Sequence, residues 1–128
     1  FVRKLINFKL SYDFFQKQPY WTSPSGSRDT QFSLSGTRIN RVDWGDTSHT
    51  LAYHLASHSY GDQLYVMINA YWKPLRFELP HLQDRRWRIL IDTAQASPYD
   101  FCEYEDARRL DGFFHKLAPR SVAVAMKA

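Results

Sequence analysis

The aromatic rings of this sequence, together with one asparagine, are the side chains best suited to holding a ligand. Tyr71 and Trp72 follow Asn69 in the stretch INAYWKP, and Trp44 lies further upstream. The face of such a ring stacks on flat ligands, including bases and the C–H face of a pyranose. Asn69, Tyr71, Trp72 and Trp44 are therefore the candidate ligand-contact residues.

The core of a β-sandwich is the alternative place for these rings. Trp72 and Trp87 lie on the apolar sides of two alternating stretches of sequence. Rings in such positions fill a core, so core packing is favoured over a sugar-stacking platform. The pattern does not decide whether Tyr71 and Trp44 pack in the core or stack on a ligand.

The histidines show no spacing typical of a metal site. His54 and His58 are four residues apart, which suits a shared metal on a helix. Here they flank a strand end and a turn, where that spacing does not bring two imidazoles together. His49, His81 and His115 have no partner pattern, so the sequence predicts no metal site.

The carboxylates do not form an acid/base pair. Glycoside hydrolysis needs two carboxyl groups facing each other across about 5 to 10 Å. Six acidic residues lie instead in turn-like segments, where turn formation and solvation explain them. They are Asp43, Asp46, Asp62, Glu103, Glu105 and Asp106. We therefore expect no catalytic residue and no cofactor in this chain.

Composition indicates one globular domain. The 128 residues suffice for a single core, and the content is 44% hydrophobic and 23% charged. The net charge is +4, but the basic residues are scattered, which argues against nucleic-acid binding. No apolar run approaches the roughly 20 residues of a membrane span. The single cysteine, Cys102, is typical of a reducing compartment, and we expect the cytoplasm.

Apolar residues recur with period two after residue 40, which predicts antiparallel strands. The segment 64–72 is apolar on both faces and is predicted to be the central strand. A sequence of short strands and turns favours an all-β fold, an antiparallel β-sandwich. The alternating segments are residues 51–55, 64–72, 75–79, 87–92 and 122–127.

The first 18 residues have a helical period instead. An apolar stripe and the breaker Pro19 predict one N-terminal helix over 1–18. Ser, Thr, Gly and Pro dominate residues 22–36, which are predicted to be a loop or linker. The chain starts with Phe1 rather than Met, so we expect a piece of a longer protein. The stripe consists of Phe1, Leu5, Phe8, Tyr12 and Phe15, widened by Val2 and Ile6.

The apolar sides of the predicted strands define the expected core. Truncation of its members should destabilise the fold, whereas Arg76→Ala should have little effect. The expected core residues are Val66, Ile68, Phe77, Trp87, Ile89 and Val124.

Four segments occur in an order that resembles one family. They are VDWGDTSHTLAYHL at 42–55, LYVMINAYWKPLRFELP at 64–80, WRILIDTAQASP at 87–98 and LAPRSVAVAM at 117–126. The resemblance is to the C-terminal β-domain of bacterial glycogen debranching enzymes and isoamylases, of the α-amylase superfamily (glycoside hydrolase family 13 type). It covers roughly residues 38–128, and FVRKLINF at the front is similar to the last helix of that family's (β/α)8 catalytic barrel.

The resemblance implies a division of the chain. Residues 1–20 would be the terminal helix of a missing catalytic barrel, 21–37 a linker and 38–128 an amylase-type C-terminal β-sandwich. The family's catalytic carboxylates belong to the barrel, so the chain alone is expected to be no enzyme. The parent enzyme would hydrolyse α-1,6-glucosidic branch linkages.

The implied role is to stabilise or shield the barrel, with Trp44, Asn69, Tyr71 and Trp72 at the barrel interface or at a sugar. Two alternatives stay open: a carbohydrate-binding module for α-glucans, and an interaction domain without a ligand. The expected partner is the barrel of the same polypeptide, and the further candidates are an α-glucan and a second copy of the chain through the exposed helix. Neither nucleic acid nor membrane is expected.

Overall fold

Alternating apolar residues form the strands of two antiparallel sheets. A computed structural model describes residues 1–11, 30–57, 61–82 and 86–127. Within these ranges lie a helix, α1 (Val2–Ser11), and eight strands. The strands are β1 (Thr30–Ser35), β2 (Thr50–Ser57), β3 (Gln63–Asn69), β4 (Leu75–Glu78), β5 (Arg88–Asp92), β6 (Arg108–Arg109), β7 (Phe114–Leu117) and β8 (Ser121–Lys127).

The larger sheet has six strands in the order β1-β2-β3-β8-β5-β6, and the smaller sheet pairs β4 with β7. All paired strands are antiparallel. This confirms the predicted all-β sandwich with one N-terminal helix. The strand with two apolar faces, β3, lies inside the larger sheet between β2 and β8, as predicted for the central strand.

The main core lies between the two sheets. Tyr65 and Met67 of β3 and Trp87 from the residue before β5 are completely buried there. They pack against Phe77 of β4 and Leu117 of β7, which belong to the smaller sheet. Burial of such side chains contributes about 1.5 to 3 kcal/mol each, so this layer provides much of the stability of the fold.

The opposite face of the six-stranded sheet, which we call the outer face, is also apolar. It carries Leu64 and Val66 of β3 and Val124 of β8, and α1 lies over part of it through Phe8. A sheet of a two-layer sandwich normally turns polar residues to this side. The outer face is therefore a second apolar surface rather than a solvated one.

The expected core is confirmed for five of its six residues. Phe77, Trp87 and Ile89 are buried between the sheets, while Val66 and Val124 are buried on the outer face. Ile68 is only half-buried on the outer face, so its assignment to the core was too strong. The deeper side of β3 is the one with Tyr65 and Met67.

Some element boundaries differ from the sequence interpretation. Residues 22–36 were predicted to be a loop, yet β1 forms at their end and pairs with β2. Only Phe32 and Leu34 alternate there among serines, a pattern too short to stand out, and pairing with β2 provides the missing stabilisation. The strand predicted over 64–72 ends at Asn69. The short strands β6 and β7 were not predicted.

The helix predicted over 1–18 is present as α1, which ends at Ser11 in the described residues. Tyr12 and Phe15, the last members of its predicted stripe, lie outside the described residues. No helix in the described ranges has both the length and the apolar character to cross a membrane.

Candidate functional site

Asn69 closes β3 and shapes the turn that carries the candidate rings. Its side-chain oxygen accepts the N–H of Tyr71 at 2.9 Å. Its amide nitrogen donates towards the carbonyls of Lys73, Leu117 and Ala118 at 3.1, 3.2 and 3.1 Å. The residue is buried, so its amide joins the turn after β3 to the loop after β7 and does not face a ligand.

The rings next to Asn69 form what we call the ring cluster: His49, Tyr71, Trp72 and Lys73. Tyr71 stacks on His49 with ring centroids 5.5 Å apart and planes 19° apart. Trp72 lies 5.4 Å from Tyr71 with its plane tilted by 51°. The ammonium of Lys73 lies 4.6 Å from the Trp72 ring centroid. Hydrogen bonds from Ala70 N to His49 O and from Arg120 N to Tyr71 O hold the backbone of the cluster.

The two tryptophans predicted for the core differ in burial. Trp87 is fully buried and donates its indole N–H to the Pro80 carbonyl at 2.7 Å, which confirms its assignment. Trp72 is 62% exposed, so its assignment to the core is wrong. The strand ends three residues before it, and the alternation that placed it inward does not continue through the turn.

Trp44 is 73% exposed in the segment before β2. In the described part of the chain it makes no ring contact with the ring cluster. The planes of Tyr71 and Trp72 are tilted, so the ring cluster offers a single exposed indole instead of a flat platform for two sugar rings.

An apolar cavity lies between α1 and the outer face. It has a volume of about 480 Å³. Phe1, which precedes α1, and Phe8 of α1 meet the ring of Phe101 edge-on at 5.8 and 6.1 Å, and Lys4 donates to the Phe101 carbonyl at 3.1 Å. We call this cavity the helix groove. It is lined by Leu5, Ile6, Phe8, Lys9, Tyr53, Leu64, Val66, Ile91, Val122 and Val124.

A second apolar stripe of α1 is exposed. Val2, Ile6 and Leu10 recur at the four-residue spacing that places side chains on one side of a helix, and each is more than half exposed. No residue of α1 is fully buried. The helix thus contacts the sandwich through Lys4 and Phe8 and leaves a stripe of large apolar side chains exposed.

The histidines are placed as packing residues. His54 Nε2 donates a hydrogen bond to the side-chain Oε1 of Gln63 at 2.8 Å, and its ring meets Trp87 edge-on at 6.0 Å. Burial lowers the pKa of His54. His58 lies outside the described residues. Among the described residues, no three His, Cys, Asp or Glu side chains come together as a metal site would require.

The candidate carboxylates lie at turns, as the sequence indicated. Asp43 accepts the N–H of Gly45 at 2.9 Å, which closes a local turn. Glu103 and Asp106 are exposed and joined by a backbone turn.

Two arrangements escaped the sequence interpretation. His49 was assigned no partner but stacks on Tyr71, a contact between residues 22 positions apart that no local pattern encodes. A polar cavity at the β5 edge, lined by Asp92, Arg108 and His115 among others, joins residues from three strands. The only signal in the sequence was the placement of a polar residue at the end of an apolar strand.

Comparison with known proteins identifies the relatives of this chain. The profile of the family described as "Isoamylase 1-3, C-terminal" matches residues 33–119. The chloroplastic isoamylase 1 of Oryza sativa subsp. japonica is 35% identical over 66 residues, and the chloroplastic isoamylase SU1 of Zea mays is 30% identical over 66 residues. In each case the match covers 52% of this chain but only 8% of the relative.

Proposed function

Because the chain belongs to the isoamylase C-terminal domain family, we propose that it is the non-catalytic C-terminal domain of a debranching enzyme and packs against that enzyme's catalytic barrel. The parent enzyme would be a glycoside hydrolase of the α-amylase superfamily, bacterial in type, acting on α-1,6-glucosidic branch linkages of glycogen. Within this proposal residues 1–20 belong to the barrel, residues 21–37 are the linker, and residues 38–128 form the C-terminal β-sandwich domain.

One observation carries the proposal: the apolar surface of α1 and the outer face is incompletely covered. Val2, Ile6 and Leu10 are exposed in a row, and the helix groove beside them is lined almost entirely by apolar side chains. Large contiguous apolar patches on a soluble domain mark interaction surfaces. Their burial is favourable by about 1.5 to 3 kcal/mol for each large side chain.

The proposed occupant of this surface is the catalytic barrel of the same polypeptide. The resemblance of FVRKLINF to a barrel helix makes α1 the element shared by the two parts. The matched relatives extend far beyond the matched stretch, so they contain enough protein to cover the surface. A covalently linked partner also loses less entropy on docking than a separate one. A second copy of the chain is the competing occupant.

The ring cluster supports a smaller, second role. Trp72 is exposed beside the ammonium of Lys73, which suits either the rim of the barrel interface or one sugar ring. A carbohydrate-binding module needs coplanar rings, and the 51° tilt of Tyr71 against Trp72 favours the rim. The reducing compartment implied by Cys102, proposed as the cytoplasm, suits a glycogen-degrading enzyme.

An activity assay on three samples tests the proposal. The samples are this chain, the barrel encoded with it, and the two mixed, each incubated with glycogen, limit dextrin and pullulan before reducing ends are measured. We expect the chain alone to release no reducing ends. The mixture should show more stable turnover than the barrel alone. Turnover by the chain alone that is lost on a single Asp or Glu substitution would contradict the proposal, as would a barrel unaffected by the chain.

A further inference from the structure

We propose that a polar cavity beside β5 is a binding site for a neutral, polyhydroxylated ligand the size of one or two sugar rings. The cavity is separate from both the ring cluster and the helix groove, and has a volume of about 340 Å³. That volume lies at the lower end of the range for ligand sites, roughly 300 to 1,000 Å³. It therefore suits a small ligand.

The cavity lies beside β5, among residues of β5, β6 and β7. β6 pairs with the start of β5, and the segment after β5 returns to continue the same side of the strand. There Cys102 N donates to Leu90 O at 2.8 Å, and Phe101 forms a bridge with Ile91. Ile89 and Leu90 contribute the apolar part of the cavity lining.

Polar side chains from three strands and one loop converge on this space. Arg108 comes from β6, His115 and Lys116 from β7, and Asp92 from the end of β5. The returning segment adds Tyr99, whose ring is largely exposed.

Hydrogen bonds within the chain hold several of these groups in place. Asp92 accepts the N–H of Ala94 at 3.0 Å and the Gln95 side-chain amide at 3.4 Å, which fixes the carboxylate at the rim. A guanidinium nitrogen of Arg108 lies 3.5 Å from Nδ1 of His115. Since a guanidinium only donates, this contact favours the tautomer with the proton on Nε2. Burial, reinforced by the Arg108 charge and opposed by Asp92, lowers the pKa of His115.

The charges favour a neutral ligand. A simple anion would be attracted by Arg108 and Lys116 but repelled by the carboxylate of Asp92. A cation would be attracted by Asp92 but repelled by Arg108 and Lys116. A sugar hydroxyl both donates and accepts, so it can use the Asp92 carboxylate and the Arg108 guanidinium together. The exposed ring of Tyr99 adds a surface for a pyranose face. The choice of a glucosyl unit among polyols rests on the proposed function. The description of the cavity does not depend on that function.

Titration of the 128-residue chain with maltose, followed by amide chemical shifts, tests the site. We expect saturable shifts at residues 89–102, 108, 115 and 116. Arg108→Ala should weaken binding at least about tenfold by removing a charged hydrogen-bond donor. Asp92→Asn, which keeps the side-chain shape, should also weaken it.

Arg109→Ala is the matched control, because Arg109 is the exposed neighbour on β6 that does not line the cavity. It should bind maltose as the unchanged chain does, and so should Trp72→Ala. Shifts confined to the ring cluster, no saturation by maltose, or saturation by inorganic phosphate instead would each overturn the inference. These outcomes leave barrel docking unaffected, so the proposed function is tested independently.

Discussion

Asn69 shows how a residue that looks like a ligand contact serves the fold. Its position between apolar residues and two rings indicated a site in the sequence, but the residue is buried and bonded to the backbone of two loops. Residue type and spacing could place Asn69 beside the rings. They could not show that Leu117 and Ala118, which are distant in sequence, supply carbonyls to its amide.

Loss of the Asn69 amide should therefore destabilise the domain. Asn69→Ala leaves buried backbone groups without a partner, which costs about 1 to 3 kcal/mol. Urea unfolding should show this loss, whereas Trp72→Ala, which truncates an exposed ring, should change the free energy of unfolding by less than about 0.5 kcal/mol. Equal losses for the two variants would contradict the role assigned to Asn69.

The histidine pKa shifts predict a dependence of stability on pH. Burial lowers the pKa of His54 and His115 in the folded chain, whereas the unfolded chain keeps the ordinary value of about 6.5. As pH falls through about 6.5, the unfolded state takes up protons that the folded state does not, so the free energy of unfolding decreases. Above that pH the stabilisation is fully present.

Urea midpoints at about pH 7.5 and 5.5, on either side of the unfolded pKa, measure this effect. The midpoint should be lower at the acidic pH, and the difference should shrink in His54→Gln, since glutamine cannot titrate. An unchanged midpoint in the parent chain would show that neither imidazole resists protonation.

At the scale of elements, the sequence identified most strands because their apolar alternation is long. It missed β1, β6 and β7, whose alternation is brief and whose stability comes from pairing with neighbours. The expected core residues of β3 were Val66 and Ile68, whereas the opposite side of the strand, with Tyr65 and Met67, is the more deeply buried one. Both sides are apolar, and only the position of the smaller sheet distinguishes them.

Truncations on the two sides of β3 should therefore differ. Met67 is completely buried between the sheets, and Met67→Ala should cost about 2 to 5 kcal/mol. Ile68 is half-buried on the outer face, so Ile68→Ala should cost distinctly less. Arg76→Ala, which loses an exposed contact with the Phe114 ring, serves as the control. A larger effect at Ile68 than at Met67 in thermal unfolding would reverse the assignment of the two faces.

Gly36 at the end of β1 allows a close approach of the following loop. A Cβ at this position would lie 2.6 Å from the carbonyl oxygen of Arg41, so Gly36→Ala must displace backbone. Gly112→Ala is the matched control, because a Cβ there meets nothing within 4 Å. We expect the first variant to melt at a clearly lower temperature and the second to melt near the parent. Similar melting of both would mean that the loop moves aside freely.

At the scale of the whole molecule, both faces of the six-stranded sheet are apolar, whereas a solvated sandwich needs only one apolar face on each sheet. The smaller sheet covers one face of the larger sheet, and α1 covers part of the other while exposing Val2, Ile6 and Leu10. The sequence predicted an apolar helix in need of a surface, and α1 does lie against the sandwich. What covers its remaining stripe depends on a partner, which no pattern within these residues can specify.

Sedimentation of the chain with the proposed catalytic barrel of the parent enzyme tests the central claim most directly. The measurement compares the parent chain with Ile6→Asp, in the exposed stripe, and with Asn7→Asp, which adds the same charge at the next exposed position of α1. We predict a one-to-one complex that Ile6→Asp weakens at least about tenfold and Asn7→Asp leaves nearly unchanged, since a charge buried in an apolar interface is costly. Absence of a complex, equal binding by both variants, or a homodimer of the chain that excludes the barrel would contradict the account.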